Sequence, residues 1–74
     1  MLQIFVNDVP QEFEKAPETW GDLLLTLDAR AADAGVILSA ARFDGVDEPS
    51  FRDVEVTARR LSDVRRVEVR TTAA

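Results

Sequence analysis

The chain has 74 residues, no cysteine, no histidine, and nine basic against fourteen acidic side chains, for a net charge of −5. That composition excludes disulfides, thiolate and imidazole chemistry and Cys- or His-ligated metals, and a net-acidic surface argues against general nucleic-acid binding because it repels phosphate backbones. An apolar fraction of 46% with three glycines and three prolines is that of one folded domain over residues 1–74, small enough to bury only about 60% of the surface its unfolded chain exposes.

The first strand signal is Met1 to Asn7, where Leu2, Ile4 and Val6 alternate with Gln3, Phe5 and Asn7. A period of two predicts a half-buried strand with Phe5 on the outward face. Asn7-Asp8 and Pro10 bracket a tight turn, and Gln11 to Ala16 is expected to return as a second strand with Phe13 inward. Pro10 and Pro17 lack backbone donors and suit strand ends or edges.

The helix is the clearest element. Thr19 caps it, with Asp22 three residues on, and Trp20, Leu23, Leu24, Leu27, Ala31 and Ala34 share one face at 3.6-residue spacing. Gly35 is the stop signal. Leu25, Ala29 and Ala32 form a second apolar stripe on the opposite face, read either as tolerated exposure or as a contact site for a partner.

Val36 to Phe43 reads as a largely buried strand, and Asp44-Gly45 is the strongest turn signal in the chain. Residues 46–60 are the least legible. Pro49 blocks continuous pairing, while Val54 and Val56 alternate as a short edge strand would. Ser62-Asp63 follows Leu61 as a turn or single helical turn. Val64, Val67 and Val69 define the last strand, with Arg66, Glu68 and Arg70 facing outward and 71–74 left as a short tail. The first and last strands, the most regularly alternating, are expected to pair in parallel at the centre of the sheet, which requires the long intervening connection that the helix supplies. The expected class is α+β: a β-grasp arrangement, one mixed four- to five-stranded sheet packed on a single helix.

The segment Met1-Leu2-Gln3-Ile4-Phe5-Val6-Asn7, its hairpin, and Glu18-Thr19-Trp20-Gly21-Asp22-Leu23-Leu24 together resemble the thiamine-pathway sulfur carriers. Asp44-Gly45 and Leu61-Ser62-Asp63 with Val67-Glu68-Val69 are similar to that family's later turn and closing strand. Ubiquitin shares the opening Gln-Ile-Phe-Val and the Leu-Ser-Asp element. The resemblance implies a β-grasp scaffold and, in those families, a C-terminal Gly-Gly that is activated as an acyl-adenylate. This sequence carries Thr71-Thr72-Ala73-Ala74 instead, so none of the family's reactive residues is carried over. Arg42 stands about where ubiquitin presents an apolar residue of its recognition patch, which argues against recognition by receptors built for that surface.

Other chemistry finds little footing. The serines have no histidine partner, Lys15 lies in no glycine-rich loop, and Asp44, Asp47 and Glu48 lack the spacing of a calcium loop. No catalytic, cofactor-binding or metal-binding residue is expected. The expectation is a small non-catalytic, ubiquitin-like module of the cytoplasm, with no membrane segment, that binds a partner protein non-covalently or pairs with its own copy through an edge strand. The alternative is a sulfur-carrier or modifier-like protein with an atypical or processed C-terminus. The candidate partner-binding residues are Phe5, Leu25, Ala29, Arg42, Arg66 and Arg70.

Charge is uneven along the chain. Residues 1–37 hold Lys15 and Arg30 against seven acids, whereas residues 38–74 hold seven arginines and seven acids. Arg59, Arg60, Arg65, Arg66 and Arg70 read either as an internally paired, solvated face or as a local patch for an acidic protein surface.

Overall fold

The computed structural model describes residues 2–74. Met1, assigned from the sequence to the first strand, lies outside the described residues. In chain order the elements are β1 (Gln3–Val6), β2 (Val9–Pro10), α1 (Trp20–Asp33), β3 (Val36–Phe43), β4 (Val46–Asp47), α2 (Val54–Thr57), a 3₁₀ turn at Leu61–Asp63, and β5 (Arg66–Ala73). The five strands form one mixed sheet in the order β2-β1-β5-β3-β4, with β1 and β5 parallel at its centre. The fold is the expected α+β, β-grasp-like arrangement.

Local chemistry explains the two hairpins. Asn7 and Asp8 sit at φ +50° and +67°, and Asp44 and Gly45 at +50° and +83°. Two successive left-handed residues make the turn whose twist matches paired strands, and Asn, Asp and Gly tolerate that region best. Helix α1 begins where Thr19, in an extended conformation, accepts a hydrogen bond on Oγ1 from the Asp22 N–H at 3.2 Å. It ends at Ala34, with Gly35 in the left-handed region at φ +74°.

The core lies between α1 and the inner face of the sheet. Trp20, Leu23, Leu24, Leu27 and Ala31 from α1 meet Ile4, Leu38, Ala41, Phe43, Val67 and Val69 from the strands, with Phe51, Leu61 and Val64 closing one end. Trp20 is wholly enclosed. Its indole N–H donates to the Phe51 carbonyl at 2.6 Å, and its ring meets Phe43 edge-on at 5.0 Å.

Several expectations are corrected. The second strand is Val9–Pro10, not Gln11 to Ala16; one further bond, Gln11 N–H to the Ile4 carbonyl at 2.8 Å, ends the pairing. The exposed Glu12, Glu14 and Lys15 gain nothing from a ladder, and Phe13 packs half-buried against the core beneath the Arg30 guanidinium, 4.4 Å from its ring. Val54 and Val56 belong to a one-turn helix, α2, rather than an edge strand; the Asp53 carbonyl accepts from both Val56 and Thr57. The short edge strand is β4. Strand β3 has the expected bounds but buries only Leu38, Ala41 and Phe43, because nothing among the described residues covers its other face. Val64 precedes β5, and the expected tail is strand: Ala73 pairs with Val36, and Thr72 with Ile37. Ala34 caps the helix in solvent instead of joining the buried stripe.

Candidate functional site

The pleat of a strand sends alternate side chains to opposite faces, so the residues that build the core also fix what the other face displays. Opposite Ile4, β1 presents Phe5. Between Val67 and Val69, β5 presents Glu68, flanked by Arg66 and Arg70. In β3 a bulge at Ser39 absorbs one residue between Leu38 and Ala40. Both Leu38 and Ala41 therefore point inward at a spacing of three, and Ala40 and Arg42 join the outer face. The two-residue turn at Asp44-Gly45 then sets Asp47 opposite Arg42.

Strand register aligns these residues into one row across all five strands: Pro10, Phe5, Glu68, Arg42 and Asp47. Each arginine on this face is held by an acid. Arg42 Nε lies 2.8 Å from Asp47 Oδ1, Arg66 Nε 3.3 Å from Glu68 Oε1, and an Arg70 guanidinium nitrogen 3.0 Å from Asp8 Oδ2. The Arg66 guanidinium also covers the half-buried Phe5 ring, 4.3 Å from its centre. The hydrogen bond that Arg42 donates to Asp47, reinforced by the carboxylate's charge, raises the Arg42 guanidinium above its ordinary value. Exposed pairs of this kind contribute little to stability, because water and salt screen them. Their effect is to hold three rotamer-rich side chains in defined positions on an open, uncovered surface.

Four of the six sequence-derived candidates, Phe5, Arg42, Arg66 and Arg70, therefore converge on one face. Leu25 and Ala29 do not join them; they lie exposed on the solvent side of α1, across the molecule. Sequence reasoning omitted Asp47, although a two-residue turn at Asp44-Gly45 already dictates that residues 42 and 47 face each other. It also omitted Glu68 as a site residue while reading it as outward.

The acidic turn is engaged internally. Asp44 Oδ1 accepts from the backbone N–H groups of Arg65 and Arg66, both at 2.9 Å, and Glu48 accepts from the Ser50 N–H. Among the described residues no group of three Asp, Glu, His or Cys side chains is arranged to hold a metal ion, and no helix is long and apolar enough to cross a membrane. No protein-family model matches the chain, and comparisons with curated proteins and with solved structures return no match.

Proposed function

We propose that this chain is a non-catalytic, ubiquitin-like interaction module that binds a partner protein non-covalently through the outer face of its sheet. The observation that carries the reading is the cross-sheet row in which Phe5, Glu68, Arg42 and Asp47 lie side by side, with Arg66 and Arg70 alongside. An aromatic ring among oriented arginines is the composition enriched at binding hot spots, and pre-ordered side chains lose less entropy on association. A chain with no cysteine needs no oxidising compartment to fold, and the proposed setting is the cytoplasm.

Affinity capture with the intact chain as bait, followed by quantitative mass spectrometry, tests this reading. Phe5→Glu and Arg42→Glu are expected to fold, as judged by circular dichroism, and to lose the captured partner by about tenfold or more, the effect of removing a hot-spot contact. Full retention by both variants overturns the proposal. In a separate arm the chain is incubated with ATP and an activating enzyme and its intact mass measured. An adenylate, thiocarboxylate or conjugate would replace this reading with that of a carrier.

A further inference from the structure

The most exposed large apolar side chains among the described residues are Leu25 and Val54, at 73% and 80% exposure. They come from different segments, yet the helix geometry places them beside the same seam. Along α1, Gly21, Leu25 and Asp28 are spaced i, i+4 and i+7 and share one side. Gly21 meets α2 closely: a Cβ there would stand 3.0 Å from the Thr57 carbonyl oxygen. Asp28 grips Arg52, just before α2, through two hydrogen bonds of 2.9 and 3.0 Å. With Thr57 fixed at one end of the seam and Arg52 at the other, Val54 belongs to the segment that runs past the Gly21–Asp28 stretch of α1, the stretch that carries Leu25. Ala29 and Ala32 extend the patch along α1 as small, exposed residues.

Acidic side chains dominate the surroundings of this patch; Arg30, also on α1, is drawn over the Phe13 ring and bonds the Gln11 side chain and the Glu12 carbonyl. Asp22 and Asp33 lie on α1 beyond the two ends of the Leu25–Ala32 stripe, Asp53 immediately precedes α2 and Glu55 lies on it; all four are exposed. Among the described residues every ion pair is made by other acids, namely Asp8, Asp28, Asp47 and Glu68. The cation at the seam, Arg52, is paired with Asp28, and its hydrogen bonds to that carboxylate raise the guanidinium above its ordinary value. An apolar strip about 10 Å long, at 1.5 Å rise per residue, is thus bordered by four unpaired carboxylates.

We propose that the seam between α1 and α2 is a second docking surface, separate from the sheet face, whose occupant is a basic amphipathic helix of a partner protein. The apolar side of such a helix seats against Leu25 and Val54, and the alanine floor lets the two helices approach closely. Its lysines or arginines meet Asp22, Asp33, Asp53 and Glu55. A neutral or acidic helix would leave those charges unanswered or opposed, and that difference selects the partner class.

The test is a selection from a random 16-residue peptide library displayed on phage, run against the intact chain, with the best binders remade as synthetic peptides. Expected binders are rich in Lys and Arg with apolar residues at i, i+3 and i+4, become helical on binding, and shift amide resonances in α1 and α2. Leu25→Glu and Val54→Glu should each weaken them about tenfold. The double variant Asp22→Lys with Asp33→Lys should flatten the loss of affinity with added salt that exposed charges impose. Phe5→Glu, on the other face, should bind these peptides normally, whatever becomes of the sheet-face reading. The proposal is overturned by acidic or extended binders, by resonance shifts on the sheet face, by full affinity in both glutamate variants, by an empty selection, or by light scattering that shows a dimer dissociated by Leu25→Glu.

Discussion

Trp20 joins three parts of the molecule that no local pattern connects. It opens α1, packs edge-on against Phe43 of β3, and donates its indole N–H to the carbonyl of Phe51 in the loop before α2. The last contact explains how an irregular loop becomes part of the core: a buried donor and a buried carbonyl satisfy each other, so neither bears the cost of desolvation alone. Trp20→Phe keeps an aromatic ring but orphans the Phe51 carbonyl, and should cost about 2–4 kcal/mol, read as a lower urea midpoint. Asp44 works by similar logic at the surface. It occupies a left-handed position and tethers two backbone N–H groups at the start of β5 with one oxygen. Asp44→Ala should cost about 1–2 kcal/mol, whereas Asp44→Asn, which keeps an acceptor and tolerates the same backbone region, should cost distinctly less in the same denaturation series.

Among the elements, α1 and the two hairpin turns were legible because each carries its own chemistry: a hydroxyl cap, a glycine stop, and paired left-handed residues. Helix α2 was not. Four residues make barely one turn, too short for a 3.6-residue period to show, and Val54-Glu55-Val56 alternates just as a strand would. What decides the matter is tertiary. Gly21 leaves room for the Thr57 backbone, Asp28 holds Arg52, and the Trp20 N–H bonds to the Arg59 carbonyl just beyond α2. Gly21→Ala isolates that contribution. Alanine improves helix propensity by up to about 1 kcal/mol, but its Cβ would press on a backbone oxygen anchored from both sides. The expected result is a net loss of stability, with faster amide exchange at Val56 and Thr57 than in the parent. The candidate site was legible for the same reason as the strands, since period-two alternation sends Phe5, Arg66 and Arg70 outward together. The bulge at Ser39, which brings Arg42 into phase with them, and the pairing of Arg70 with Asp8 depend on strand register, and no single segment carries that information.

At the scale of the whole molecule, the ionised side chains of the described residues are kept out of the core. Among the described residues no polar or charged side chain is buried, and the four ion pairs lie at the surface, Glu68 alone among their members being half-buried by its side chain. The sheet face carries balanced, mutually held charges, while the side formed by α1 and α2 carries an unbalanced negative rim. The two surfaces therefore differ in the charge they present, although one thin core supports both. That separation of core from charge has a thermodynamic consequence. Among the described residues, the Arg42 and Arg52 guanidiniums are raised above their ordinary value by their hydrogen bonds to Asp47 and Asp28. A raised group contributes stability that is fully present below its unfolded value and is lost only as pH rises through the folded one, and for arginine that window lies above about pH 12. The chain has no histidine and no cysteine, the side-chain types that ordinarily titrate nearest neutrality. With the N-terminal amine acetylated, because an α-amino group ordinarily titrates in this interval, the urea midpoint should be the same at about pH 6 and pH 8. A clear slope over that interval would mean that proton binding differs between the folded and unfolded chains, and with it that the core and the charged surface are not separated in this way.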